Sequence, residues 1–439
     1  MRYSKAPPFI VGAKHENIAS TVEATEAARC KMPMPTYLPC MGMGDSNHFE
    51  EDEVILGYFT QGYTNLEIVA FINDVHGQNI SLSTLKRRLK NMGLKRRCET
   101  VPSDDELREV LLKELGGSGC FVGYRKIWAR LRRNGIIVKR SRVMMLLREL
   151  DPEGVDCRKS KRLRRRAYHT KGPNFLWHID GHDKLKPFGF SIHACIDGYS
   201  RRLIWLEVCP SNKNPEVIGR FYLDAVKQLG GVPRKMRSDD GTENSIVEAL
   251  HLFLRSTHDD DDVGYGCFSI GRSTSNQRIE AYWSHLIKDS PGWWRNFFTD
   301  LRYLNLFIDS DPVYFECIRF CFMNLLRKEL DTVAELWNQH IISSSKYGNS
   351  SGPRGRPDCM FFLPHLYDTH DYKQGITAAL VDEFYDVTMT ENDYSQEFEE
   401  FVNTVMQGEM FCKPRDVKEG LELYLRLVTE IEAVRQIET

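Results

Sequence analysis

Asp180, Asp239 and Glu280 are the residues whose types and spacing could do chemistry in this 439-residue chain. Asp180 closes a strand-like run, FLWHID (175–180), and Asp239 closes another, RKMRSD (234–239). Glu280 stands in the opening turns of NQRIEAYWSHLIK (276–288), a helical pattern in which Ile279 and Trp283 can face a sheet. Carboxylates converging from three elements would be intolerable unless neutralised. A hard divalent ion supplies the counter-charge, and Mg²⁺ or Mn²⁺ prefers such oxygen ligands. Two such ions can activate a nucleophile and stabilise the leaving oxygen of a phosphodiester. One acid at a strand end says little. The order strand Asp, strand Asp, helix Glu is much more specific.

The elements that must position these acids lie between 174 and 290. FLWHID, FSIHACID (190–197) and RLIWLEVC (202–209) alternate with period two and are separated by the turn-forming DKLKPFG and GYSR. A helical pattern follows, PEVIGRFYLDAVKQLGG (215–231), then the short strand ending at Asp239, a helix over about 245–256 and the apolar run CFSI (267–270). Three strands in a meander, then alternating helix and strand, predict an α/β sheet with helices on its faces. The ends of strands in such an open sheet are where chemistry is usually found.

Neighbouring residues admit competing readings. His178, Asp180 and His182 share one side of a strand and could bind a transition metal; the plainer reading packs His178 near the site and leaves His182 past the strand end. Glu243 and Asn244 could touch a nucleic acid or cap the next helix. Arg272, Ser273, Asn276, Gln277 and Arg278 could hold a phosphate or base beside Glu280, with Arg278 the first choice.

FLWHIDGHDKL, IHACIDGYSRRLIWLEV, RSDDGTEN and GRSTSNQRIEAYWSHL resemble the integrase core, the DDE catalytic domain of retroviral and retrotransposon integrases and related transposases. The matching residues are Trp177-His178-Ile179-Asp180, Asp239-Asp240-Gly241 and Asn276-Gln277-Arg278-Ile279-Glu280. Asp240 replaces the family's usual Asn. The resemblance covers about 170–300. It implies an α/β RNase H-like core, a mixed five-stranded sheet with flanking helices. It also implies that Asp180, Asp239 and Glu280 are catalytic and ligate two Mg²⁺ or Mn²⁺ ions. The reaction implied is polynucleotidyl transfer on DNA: phosphodiester cleavage by water and joining by a 3′-hydroxyl. The alternative from another class is a catalytically silent DNA-binding protein that keeps the integrase fold. A nuclease acting on RNA would share the same motifs. Asp239 and Glu280 stand 41 positions apart, more than is usual in the family, so an insertion is expected at HDDDDVGYG (258–266), with its four Asp as a solvated loop. Similar proteins also carry the pair Trp337-Asn338-Gln339-His340 and Gly355-Arg356-Pro357-Asp358, to which the sequence assigns no role.

Charge divides the chain. Residues 81–171 hold 26 Lys and Arg against 10 Asp and Glu, while residues 382–439 hold 5 against 15. A basic front fits a polyanion, with DNA the first choice; the plainer reading is a solvated Arg-rich surface. Residues 49–98 read as a helix-turn-helix-like unit whose last helix carries Lys86, Arg87, Arg88 and Lys90 outward. Residues 99–155 read as a second such unit, with Arg130, Arg132 and Arg133 outward. Residues 156–172 are a basic linker in which Arg164, Arg165 and Arg166 would meet phosphate or serve nuclear import. Residues 1–48 read as a flexible lead-in, 173–300 as the catalytic core, and 301–439 as a helical C-terminal region with an acidic end that could dock on the basic front.

Composition bounds the rest. Hydrophobic residues make up 41% and charged residues 27%, a globular balance that excludes a collagenous or wholly disordered chain. The 12 Cys form no Cys-x-x-Cys pair and read as reduced thiols. No apolar run is long enough for a membrane span. The expected setting is the nucleus in a eukaryote, otherwise the cytoplasm, with DNA as partner and a homo-oligomer as the assembly.

Overall fold

Thr64 and Ser103 each start a helix for the same local reason. Each side chain accepts the backbone N–H three residues on, and Glu67 or Glu106 at that position returns the bond to the cap's own N–H. The computed structural model describes residues 51–96, 102–152, 155, 168–271, 276–343, 352–409 and 413–438. The lead-in, and Arg164, Arg165 and Arg166 of the linker, lie outside the described residues.

Two small helical units precede the sheet. Helices α1 (Glu51–Thr60), α2 (Asn65–Asp74) and α3 (Leu82–Asn91) enclose Ile55, Tyr58, Phe71 and Leu85. Helices α4 (Asp104–Gly116), α5 (Tyr124–Arg133) and α6 (Arg140–Leu150) enclose Leu107, Ile127, Leu131 and Val143.

The sheet follows from period-two alternation. Strands β1 (Leu176–His182), β2 (Ser191–Asp197) and β3 (Leu203–Cys209) form an antiparallel meander. Helix α7 (Pro215–Leu229) then crosses over and ends at Gly230, whose φ of 65° suits glycine. After β4 (Gly231–Val232), β5 (Lys235–Ser238) pairs parallel with β1, and α8 (Ser245–Ser256) leads to β6 (Phe268–Ile270), parallel with β5. The order β3-β2-β1-β5-β6 makes a mixed five-stranded sheet, the RNase H-like arrangement.

Each face of the sheet has its own core. Trp177, Ile179, Cys195, Trp205 and Met236 pack with α7 and α8. The opposite face, with Ile192, Ala194, Leu206 and Val208, packs under α9 (Gln277–Asp289), α10 (Pro291–Tyr303) and the long α11 (Pro312–Gln339). Cys317 and Cys321 of α11 belong to this core.

The pair of motifs without an assigned role is a clamp on the edge of this sheet. Asn338 treats β3 as another strand would: its Oδ1 accepts from Leu203 N at 2.8 Å and its Nδ2 donates to Leu203 O at 3.2 Å. Trp337 Nε1 donates to Arg201 O at 2.7 Å. Asp358, on α12 (Pro357–Phe362), accepts from Arg202 Nε at 2.9 Å and from the Tyr63 hydroxyl at 2.7 Å. Arg356 reaches Glu67 Oε1 and the Gly62 carbonyl. The clamp therefore ties the first helical unit to the sheet.

Three expectations are corrected. Arg130 of α5 does not point to solvent but bonds Glu114 and the Asp289 carbonyl; Arg133 is exposed as expected, and pairs with Glu335. Arg132 packs over Trp128 and against Gly62, whose φ is +86°. Helix α5 lies against the core, so part of its basic face meets protein, while Arg125 and Arg133 stay exposed. The Asp-rich loop is not simply solvated, because Asp260 pairs with Arg255 and Arg234, and Asp262 with Arg234 and Lys235; Asp259 and Asp261 remain exposed. The acidic end is anchored by apolar packing rather than left free for docking by charge. Helices α14 (Gln396–Glu409) and α15 (Val417–Glu438) bury Phe398, Val402, Leu423, Tyr424 and Leu427 in the core around α11. Arg327 of α11 holds Asp393 through two bonds of 2.6 Å. Helix α13 (Ala378–Asp382) adds the pair Lys227–Asp382.

One carboxyl in this packing sets a pH dependence. Burial, then the nearby Asp331 charge, push Glu207 on β3 up to about 8 from its ordinary value of 4.5. Its folded value is raised, so the fold holds a proton that the unfolded chain releases. Stability from this group is full below the unfolded value and is lost as pH rises to about 8. Glu207→Gln, which keeps the neutral shape, is expected to need more urea to unfold than wild type at about pH 9, and a similar amount at about pH 4. Matching midpoints at the alkaline pH would refute this placement.

Candidate active site

Register places the first two acids. Leu176 pairs with Lys235, Trp177 with Met236 and His178 with Arg237. Continuing that parallel register sets Asp239, the residue after β5, beside Asp180 on the adjacent strand, where strands run about 4.8 Å apart. Asp180 lies inside β1 rather than at its end, since the strand runs on to His182.

Two pins from α9 place the third acid. Asn276, buried just before the helix, donates Nδ2 to the Ile179 carbonyl of β1 at 2.8 Å. Its Oδ1 therefore faces His178 Nδ1 at 2.6 Å. His178 carries its proton on Nδ1 in this network, leaving Nε2 to accept from the Tyr168 hydroxyl at 2.7 Å. About two turns further on, Trp283 Nε1 donates to Asp180 Oδ2 at 2.7 Å. Glu280 lies between the two pins on an exposed part of the first turns of α9.

The electrostatics follow from this crowding. Asp180 is only 8% exposed. Burial, helped by the charges of Asp239 and Glu280, pushes its carboxyl up to about 7, against the bonds from Trp283 Nε1 and Gly181 N. Burial and then Asp239 raise Glu280 as well. Asp239 Oδ1 receives a long bond from Asn244 Nδ2, 3.4 Å. Three carboxylates gathered so that their charges raise Asp180 and Glu280 are a donor set chemically suited to a hard divalent cation. Among the described residues, no group of three or more His, Cys, Asp or Glu side chains is arranged to hold a metal ion. Both oxygens of Asp180 are instead turned to protein N–H groups.

The other candidate residues are distributed as follows. His178 is spent on Tyr168 and Asn276, and His182 stacks on the Trp283 ring at 4.9 Å. Burial pushes them down to about 3 and about 4, so both are neutral, and the structure builds no His-Asp-His ligand set. Arg278 Nε donates to the Gly198 carbonyl at 2.9 Å, and its guanidinium lies 4.1 Å over the Tyr168 ring. Asn244 is buried and turned toward Asp239, without a side-chain capping bond to α8. Arg272 and Ser273 lie outside the described residues. Far from the acids in sequence, Lys86, Arg87 and Lys90 of α3 are exposed, while Arg88 is half-buried and pairs with Asp52 at 3.5 Å.

Sequence reasoning missed the work of Asn276 and Trp283. Their signal was there: an Asn at the helix start four residues before Glu280, and an indole three residues after it on the buried face.

Residues 167–351 match the family model of the integrase core domain. No curated protein matches the chain. The matched stretch contains β1 to β6, the helices between them and all three acids. That match, and the mixed sheet that carries it, support assigning residues 167–351 to the integrase core domain family.

Proposed function

We propose that this protein cleaves and joins DNA phosphodiester bonds by metal-dependent polynucleotidyl transfer, with Asp180, Asp239 and Glu280 as the ligands of two Mg²⁺ or Mn²⁺ ions. The observation that carries the reading is the adjacency of Asp180 and Asp239 on parallel strands, with Glu280 pinned above them through Asn276 and Trp283. Bound cations would supply Lewis-acid polarisation of the phosphate and a nucleophile active at neutral pH. The chain supplies geometry: β1 and β5 set the spacing of the two aspartates, and α9 sets the height of the glutamate. The Trp283 indole and the buried wall behind Asp180 keep water from one side of the site. The test is a nicked-plasmid and strand-joining assay with purified protein and Mn²⁺. Nicking that depends on the cation supports the reading. Tight DNA binding without nicking on any duplex or single strand would favour the silent DNA-binding alternative, and nicking confined to RNA would reassign the substrate.

DNA contact is assigned to the exposed side of α3. Lys86, Arg87 and Lys90 project from one short helix whose buried side is held by Leu85 and Leu89. Each phosphate neutralised on duplex DNA contributes about 0.9 to the slope of log affinity against log salt. Replacing the three by Ala is expected to weaken duplex binding at low salt and to flatten that slope by about 2 to 3. An unchanged slope, measured by fluorescence anisotropy, would move the DNA-binding surface elsewhere. A nuclear setting and a homo-oligomeric assembly are part of the same proposal, because strand transfer on two DNA ends calls for two active sites.

A further inference from the structure

His193 sits in the middle of β2, fully buried, and touches none of the three acids. Its Nδ1 accepts from Trp205 Nε1 at 3.1 Å. An indole N–H can only donate, so Nδ1 is unprotonated and the ring's proton is on Nε2. Asn244 is the side chain whose hydrogen bonding favours a proton on this ring against burial, and Nε2–H is the donor left to serve it. Asn244 donates its Nδ2 to Asp239, which leaves its Oδ1 as the acceptor. Within strict hydrogen-bonding geometry, neither His193 Nε2 nor Asn244 Oδ1 has a partner, although both are buried. Two orphaned polar atoms of opposite sense, on residues already in contact, complete each other.

We propose that His193 is a positioning residue for Asp239, acting through Asn244 along a one-way chain of donors: Trp205 to His193, His193 to Asn244, Asn244 to Asp239. Every bond in this chain points its hydrogen toward the carboxylate. The chain therefore fixes the Asn244 amide with its NH₂ toward Asp239, and with it the rotamer of a carboxylate that stands just past the end of β5 and has no indole like that of Trp283. Asp180 and Asp239 are thus each held by an indole, directly in one case and through an imidazole and an amide in the other. Burial pushes His193 down to about 4, so the relay keeps one protonation state across the neutral range. The proposal rests on the functional reading above, in that Asp239 is worth positioning only if it binds a cation.

Two substitutions separate this role from packing. In His193→Gln the side-chain NH₂ takes the place of the Nε2–H and can still donate to Asn244, but the Trp205 bond is lost. In His193→Asn the acceptor for Trp205 is kept and the reach to Asn244 is lost. The relay predicts that the Asn variant needs about 10–100 times more Mn²⁺ for half-maximal nicking, while the Gln variant stays near wild type. The opposite ranking would make His193 a packing partner of Trp205 and overturn the proposal. A readout independent of activity is the ¹⁵N spectrum of histidine-labelled full-length protein. The expected result is an Nε2–H tautomer for His193 whose Nε2 resonance moves in Asn244→Ala. An Nδ1–H tautomer, or a resonance indifferent to that change, overturns the relay. A wild type that nicks nothing but shows the expected tautomer and shift would refute the functional reading and leave the relay standing.

Discussion

Asp180→Asn, Asp239→Asn and Glu280→Gln are each expected to remove Mn²⁺-dependent nicking and joining, by about a thousandfold or more, because each would delete a charged ligand from the proposed cation site, where charge stabilisation would be worth several kcal/mol. The effect on folding runs the other way for Asp180. Its carboxyl is raised to about 7 by burial and by two like charges, so near pH 8 the ionised form costs the fold stability. Asp180→Asn removes that charge at the cost of one of two acceptors, Oδ2 for Trp283 Nε1 and Oδ1 for Gly181 N. In the absence of divalent ions it is therefore expected to unfold no earlier than wild type near pH 8, and to lose the extra resistance to urea that Mn²⁺ gives the wild type. A protein that trades activity for stability at one carboxylate carries the mark of a functional site rather than a structural one. Full nicking activity in any of the three variants would remove that residue from the catalytic set. An Asp180→Asn protein that is strongly destabilised near pH 8 would show that the carboxylate is structural.

Asp358→Ala carries the largest expected loss of stability. Arg202 and Asp358 have side chains only 2% and 5% exposed, and their Nε and Oδ1 lie 2.9 Å apart. The guanidinium also bonds the Leu203 carbonyl and lies over the rings of Phe361 and Phe362. Removing the carboxylate leaves a buried cation without its counter-charge and the Tyr63 hydroxyl without its acceptor, at a cost of about 3–5 kcal/mol. Arg202→Met with Asp358→Leu deletes both charges and is expected to recover most of that loss, since apolar replacements of a buried pair are often close to neutral. Urea unfolding of the single and double variants checks both statements. Because Asp358 also anchors Tyr63, the single variant should expose the first helical unit to protease sooner than the double variant exposes the sheet. A single-variant cost below about 1 kcal/mol would mean that water reaches Arg202, and the clamp would then be a surface feature.

The sequence by itself determined the elements and the order of the acids. Strand alternation around Trp177, Ile179 and Asp180 and the caps at Thr64 and Ser103 are local: a period of two, or a side chain three residues from an N–H, is written in neighbouring residues. The motifs around Asp180, Asp239 and Glu280 were legible for the same reason. Only the tertiary structure decided what those elements meet. The register that sets Asp239 beside Asp180 comes from pairing across 59 positions, which no local pattern encodes. Arg130 of α5 looked solvated in sequence, yet it finds Glu114 and the Asp289 carbonyl, because an arginine reads the same whether water or protein receives it. The acidic end looked like an electrostatic partner for the basic front, but Phe398, Leu423 and Tyr424 bind it to α11, since burial of apolar area outweighs attraction between exposed charges screened by salt. The hydrogen-bonding work of Asn276, Trp283, His193 and Asn338 was not legible in the sequence. Each acquired it from partners at a distance, and a hydrogen bond between residues far apart in the chain exists only once the sheet has closed.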